Sequence, residues 1–479
     1  MESEIRDGVL GRWGTLSDDE VKHAAQLVKQ VESNGIETVR IYFSDPHGTL
    51  RGKTVTAHAF IDAFKSGVRA PSTLLLKDAA HQTVFPVWHS AAPSPMHGVG
   101  DVVMSPVPGT FRLLPWSPHS ALMLANLWTT QGEPLAISSR GVLEKACARL
   151  AQHKLSARFG LEVEFQVYEV IDDALAHKDT TLPGRPPLTR ALHQGYQYLS
   201  ETRYGEVEPL LDKLRRAAEG MGMPVRSVEI EMGPSQFEFT FDAADPVSIA
   251  DMAIMFRAMA KEVCHRERLL ASFMTKPKLP NAFANGWHIH QSIVDANGKN
   301  LFVPSAREEL TQHASAWMAG LLRHAAASCI ATTPTVNGYK RYSAYQLAPN
   351  RIGWAHDNRG AMLRALFESG QSSSRIENRV AESAVNPYFA LAFQLIAGLD
   401  GLNRNLRAPP PLVDAYHDQA ETLPATLSDA LEAFEQSELF REALGEEVVS
   451  YMVQLKRGEW QSYVSAVSEW EHAAYFTSL

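Results

Sequence analysis

Four short stretches of this chain set charged or amide side chains two residues apart, with apolar residues between them. They are Glu162-Val163-Glu164, Gln236-Phe237-Glu238, His288-Ile289-His290 and Arg375-Ile376-Glu377-Asn378-Arg379. In a β-strand, residues i and i+2 point to the same face. Each stretch therefore predicts a strand with one apolar and one polar face. A sheet built from such strands gathers its acids into one cavity, and mutually repelling carboxylates need cations to hold them there. Glu231 joins the set, because Gly233-Pro234-Ser235 reads as a turn between it and Glu238. Glu162, Glu164, Glu231, Glu238 and Glu377, with the one imidazole of His288, make an oxygen-rich group. Oxygen ligands favour Mg²⁺ or Mn²⁺ over zinc. The group is too large for a single octahedral ion that also keeps waters, so two ions are expected. Taken alone, each Glu reads as a solvated strand face and His288 as a satisfied core histidine. Taken together, they favour a metal site.

Arg341, Arg359, Arg364, Arg375 and Arg379 follow one another over a short stretch that ends among these acids. Arginine is the side chain best suited to bidentate carboxylate and phosphate contacts. Each alone reads as a surface ion pair. Beside the carboxylates, the group points to a phosphate-plus-metal site. The chain has neither GxxxxGK[ST] nor GxGxxG, so a P-loop or a Rossmann nucleotide site is not expected.

The elements that must position these residues can be read in outline. Val39–Phe43 and Arg51–Val55 alternate like strands about the turn Ser44-Asp45-Pro46-His47-Gly48, which predicts an early hairpin. Helical patterns run over Arg140–Gln152, from Val207 to Met221, over Val247–Leu270 and over Glu308–His324. Ala176–Pro187 reads as a surface loop, and Leu423–Leu444 as a helical, acidic surface region. The composition changes around Pro106–Pro115, which predicts two domains, residues 1–108 and 109–479.

The 479 residues are 45% hydrophobic and 21% charged, as expected of a globular chain with a sizeable core. A net charge of −9 argues against nucleic-acid binding. No window is long and apolar enough for a membrane span, and the acidic start Met1-Glu2-Ser3-Glu4 is unlike a signal peptide. Cys147, Cys264 and Cys329 are scattered, without CxxC spacing, and read as reduced thiols. These features predict a cytoplasmic protein.

In order and local sequence, the motifs resemble glutamine synthetase. The resemblance is carried by Gly160–Phe165, Pro234–Glu238, Gly286–His290, Asn337–Arg341, Asn358-Arg359, and Arg375–Arg379 with Asn386-Pro387-Tyr388. It implies an α+β fold, with a small N-terminal β-grasp-like domain and a large catalytic domain built on a curved antiparallel sheet. It implies that Glu164, Glu231 and Glu238 hold one ion and that Glu162, His288 and Glu377 hold the other. Arg341 and Arg379 would grip glutamate, and Arg359 the transferred phosphoryl group of ATP. Arg364, Arg375 and Ser292 would lie along the nucleotide. Asp45 would act from a neighbouring subunit of a stacked-ring homo-oligomer, expected to be a dodecamer, by deprotonating the incoming amine.

One departure from the family pattern bears on the substrate. The family places a glutamate just before Ala-Pro, where it binds ammonium and takes its proton. Here that position is Leu347, followed by Ala348-Pro349. A leucine can do neither. With Tyr345 and Trp287, Leu347 is expected to line a pocket for an amine with an apolar body, whose burial supplies the binding. The expected activity is ATP-dependent ligation of glutamate to an aryl or alkyl amine, in the service of amine catabolism. Polyamines and ammonia rank lower.

Overall fold

The computed structural model describes residues 1–88, 97–306, 309–343, 347–417 and 419–479. Tyr345 lies outside the described residues.

Six strands form the first sheet: β1 (Thr38–Ser44), β2 (Leu50–Thr56), β3 (Val68–Pro71), β4 (Asp101–Pro106), β5 (Arg112–Leu113) and β6 (Ser120–Trp128). Their order is β2-β1-β6-β4-β3, with β5 on β6. The expected hairpin is present, β1 and β2 pairing antiparallel about the Asp45 turn. β6 returns to lie parallel to β1. The helices Asp18–Ser33 and Phe60–Ser66 bury their apolar sides in this lobe through Val21, Leu27, Val28, Phe60 and Phe64. Strands β5 and β6 lie beyond residue 108 and still belong to this sheet, so the expected domain limit cuts through it.

The second sheet has nine strands: β7 (Leu155–Asp172), β8 (Leu188–Ala191), β9 (Val225–Ile230), β10 (Gln236–Phe241), β11 (Leu269–Ser272), β12 (Ile289–Asp295), β13 (Trp354–His356), β14 (Leu363–Leu366) and β15 (Arg375–Asn378). The order is β13-β14-β15-β12-β7-β10-β9, with β8 and β11 also on β7. Every pair is antiparallel except β13 with β14. The two-residue period sorts the faces. Val163, Phe165, Phe237 and Phe239 point to the core, where Phe165 meets Phe256 of the helix Pro246–Arg266 edge-on at 5.7 Å. Glu162, Glu164 and Glu238 point the other way.

The expected helices are present with shifted ends. The helix Pro246–Arg266 stops early because Leu269 and Leu270 enter β11. The helix Gln312–Arg323 begins later than expected, capped by the Thr311 side chain. The tail region is two amphipathic helices, Leu427–Glu435 and Glu438–Leu444, whose Phe434 and Phe440 are buried against Phe393. Cys147, Cys264 and Cys329 are free thiols.

Candidate active site

Register across the second sheet brings the acids together. Glu164 on β7 stands opposite Glu238 on β10, and Glu238 stands opposite Glu229 on β9. On the other side of β7, His290 stands opposite Glu377, and Glu377 opposite Arg364. Gly160 faces His290, and a Cβ there would come within 3.1 Å of the imidazole's own Cβ. The turn after Glu231 needs a left-handed residue, and Ser235 supplies it at φ 60°. Its hydroxyl accepts from the Leu192 N–H at 2.6 Å, which holds the 192–199 loop against the turn.

His288 sits just before β12 rather than within it, at the centre of the cluster. Its Nδ1 is 3.3 Å from Glu162 and 3.7 Å from Glu377, and its Nε2 is 3.7 Å from Glu164. His290 Nε2 lies 2.8 Å from Glu162 Oε1. That contact lacks hydrogen-bond geometry, so Nε2 has no hydrogen-bond partner although it is buried. Two sets of ligand atoms are close enough to share one ion: Glu162, His290 and Glu377, and Glu162, Glu238 and His288. The resemblance-based division put His288 with Glu377 and did not include His290. Sequence reading passed over His290 as a ligand although it forms half of the His-x-His pair.

The electrostatics fit a cation. Burial pushes Glu164 up to about 7 and Glu231 up to about 8, the Glu164 charge adding to the latter. Glu238 is raised well above the ordinary value, by burial first and then by Glu162, Glu164 and Glu231. Three buried carboxyls cannot all ionise side by side without positive charge between them. Across the cluster the sign reverses. Burial acts against Glu377, yet Arg379 and His288 bring it down to about 2. Burial also opposes Glu162, and the His290 and His288 imidazoles outweigh it, leaving it below the usual carboxylate range. His288 is lowered to about 4, chiefly by burial and then by Arg379, and so stays neutral as a ligand must.

Around the acids, Arg364 donates to Glu377 Oε2 at 2.9 Å, and Arg379 Nη1 donates to Glu377 Oε1. Arg379 also reaches the carbonyls of Arg359 and Leu347. Arg341 is buried, its guanidinium held by the carbonyls of Arg379, Val380 and Ala381. Arg375 Nε donates to His290 Nδ1 at 2.9 Å. Ser292 is two residues along β12 from His290, on the same face. Arg359 is exposed. Gly286 leaves a gap at the centre, where a Cβ would lie 2.9 Å from Arg341, 3.1 Å from His288 and 3.2 Å from Glu164.

Two expected amine-pocket residues stand differently. Trp287 is 3% exposed and packs in the core, lining a small internal cavity with Val163 and Ala253. It therefore does not line a pocket on the acids' face. The alternation that turns His288 toward the acids turns its neighbour away, and the backbone N–H of Trp287 donates to the Ala381 carbonyl. Leu347 is 46% exposed at φ 55°, next to Arg379. Tyr198, which sequence reading missed, stands near Glu231 and Glu238. Tyr196 and Leu199, both at positive φ, bond the carbonyls of Met232 and Ile230, so Tyr198 lies alongside Glu231. Burial and the charges of Glu231 and Glu238 push its phenol up to about 12. No sequence pattern marks this tyrosine.

Asp45 lies elsewhere. Its carboxylate accepts from the N–H groups of His47 and Thr49 and from Arg51 Nε at 3.0 Å. It lines a cavity of about 1000 Å³ that also takes in Arg257, Lys261 and Asn386. Among the described residues, no helix is long and apolar enough to cross a membrane.

Comparison with known proteins agrees with this arrangement. The model of the glutamine synthetase catalytic domain matches residues 136–475. A γ-glutamylanilide synthase of Acinetobacter sp. is 36% identical over 97% of this chain and 97% of its own length. A γ-glutamylethanolamide synthetase of Streptomyces coelicolor is 33% identical over 93% and 94%. A solved structure of GmaS without ligand superimposes with a TM-score of 0.80 at 28% identity, covering 94% of this chain and 99% of that one. The carboxylate-lined antiparallel sheet and the match along nearly the whole chain lead to one conclusion: this protein belongs to the glutamine synthetase family.

Proposed function

We propose that this protein ligates glutamate to an organic amine with an apolar body, coupled to cleavage of ATP to ADP and phosphate. The observation that carries the reading is the paired architecture of the site. A set of mostly buried acids, ringed by arginines suited to phosphoryl transfer, stands next to an amine end where Leu347 replaces a carboxylate. Two relatives are named for making a γ-glutamylanilide and a γ-glutamylethanolamide, which supports an organic amine over ammonia.

Glu164, Glu231 and Glu238 would hold one Mg²⁺ or Mn²⁺, and Glu162, His288 and Glu377 the second, with His290 within reach of that second group. Bound there, the ions neutralise phosphate charge and allow the crowded acids to ionise. Arg341 and Arg379 would bind the glutamate carboxylate. A γ-carboxylate oxygen attacks the terminal phosphorus of ATP, the bond to the ADP oxygen breaks, and Arg359 balances the charge on the moving group. Arg364, Arg375 and Ser292 would orient the nucleotide. The amine nitrogen then attacks the acyl carbon, the C–O bond to phosphate breaks, and Asp45 takes the amine proton. Asp45 stands on a different lobe from the metal-holding acids, which suits an assembly in which Asp45 serves a neighbouring copy's site, in a ring-stacked homo-oligomer. Leu347 and Tyr198 form the amine end in this reading, and the cytoplasm is its setting.

Phosphate release from ATP that depends on glutamate and is strongly stimulated by an apolar amine, with a product mass equal to glutamate plus amine minus water, tests this function. Stimulation by ammonia in preference to any apolar amine, with glutamine as the product, contradicts it.

A further inference from the structure

The turn that carries Asp45 lies in the first lobe, and a single guanidinium ties it to residues 383–385, the segment that packs on the Glu164 strand. Arg257, on the helix Pro246–Arg266, donates from Nη2 to the Gly48 carbonyl at 2.8 Å. From Nη1 it donates to the carbonyls of Ser383 at 3.1 Å and Val385 at 2.7 Å. No carboxylate is among these partners. Burial pulls the side chain down to about 10, with the Asp45 charge opposing. Holding a cation there on carbonyl dipoles alone costs stability relative to an ion pair, which argues for a geometric purpose.

The contacts continue in both directions. Ser383 donates through Oγ to the Glu164 carbonyl at 2.5 Å and the Gly286 carbonyl at 2.9 Å, which fixes the spacing of the acid-bearing strand and the Gly286 segment. Asn386, next to Val385, donates from Nδ2 to the Asp45 carbonyl at 3.0 Å. Gly48 is fitted to the guanidinium: at φ +74° it leaves room for Nη2, which a Cβ would approach to 2.2 Å. The planar fork reaches three carbonyls on two segments at once, which an ammonium does less well.

We propose that Arg257 is a positioning residue that fixes the Asp45 turn against its own catalytic lobe, and so sets where Asp45 is presented to the neighbouring copy's site in the amine step. This rests on the reading of Asp45 as the group that takes the amine proton. The two steps are separable by assay. Without amine, the α-nitrogen of γ-glutamyl phosphate attacks its own acyl carbon, phosphate leaves, a proton goes to solvent and 5-oxoproline forms. That slow release reports the first step only.

The test compares Arg257→Met, Arg257→Lys and Gly48→Ala in the full-length protein, with folded fraction and Tm measured alongside. Arg257→Met and Gly48→Ala are expected to lower amine-dependent turnover by about tenfold or more, the scale on which a small misplacement of a reacting group acts. Amine-independent release should stay within about twofold of wild type, because only the second step is affected. Arg257→Lys should recover part of the loss. Equal loss of both steps, or a lower Tm with unchanged rates per folded enzyme, overturns the assignment to Arg257. Wild-type protein that releases no phosphate from ATP and glutamate overturns the ligase reading instead, and this inference with it.

Discussion

Glu238 stands directly across from Glu164 on the neighbouring antiparallel strand, and both side chains are buried. Like charges opposite one another destabilise a sheet. In the folded chain Glu164 is raised to about 7 and Glu231 to about 8, from an ordinary 4.5. Between those values the folded chain holds more protons than the unfolded one, so stability falls as pH rises through that range. Metal-free protein should therefore melt lower at pH 8.5 than at pH 6. Mg²⁺ should flatten the profile and release protons as it binds at pH 7. Thermal melts with and without chelator, and calorimetry in buffers of differing ionisation enthalpy, check this. A metal-free Tm that rises with pH contradicts it.

Glu377 is the acid most tightly enclosed by arginines, with Arg364 and Arg379 both donating to it. Glu377→Gln keeps the shape and removes the charge. We expect Mg²⁺ to be required at about 10–100-fold higher concentration, with turnover reduced alongside. Metal titrations of ATP cleavage measure this, and an unchanged metal requirement removes Glu377 from the ligand set.

Gly286→Ala would place a methyl group between Arg341, His288 and Glu164. Because the gap is at the site and not in the core, activity should fall by about tenfold or more while Tm changes little, as for a group displaced from its reacting position. Kinetics and a thermal melt on the same preparation separate the two effects.

Much of this site is legible in the sequence, because period-2 alternation specifies which side chains share a face once a strand is given. Glu162, Glu164, Glu238 and Glu377 fall where that rule puts them. What stays hidden depends on non-local pairing. β6 returns to lie parallel to β1 from residues that no local pattern ties to the first lobe, which is why the expected domain limit cuts the sheet. Trp287 was expected at the amine end on the strength of its sequence neighbours, whereas its own place in the alternation puts it in the core. Tyr198 reaches Glu231 through a loop with two left-handed residues that follow no periodicity.

Leu347→Glu would restore a carboxylate next to Arg379, whose Nη2 already reaches the Leu347 carbonyl. Preference should shift toward ammonia, with kcat/KM for an apolar amine falling by about tenfold, the order expected when apolar contact of a methylene or two is lost. If the reversion leaves the amine preference unchanged, Leu347 does not set it.

The most direct test is a competition on the wild-type protein. With Mg²⁺, ATP and glutamate fixed, phosphate release is measured for aniline, isopropylamine, putrescine and ammonia, and the products are identified by mass. The account predicts that one apolar mono-amine is used far better than ammonia and yields its γ-glutamyl amide. Glutamine as the main product, with ammonia preferred, would contradict it.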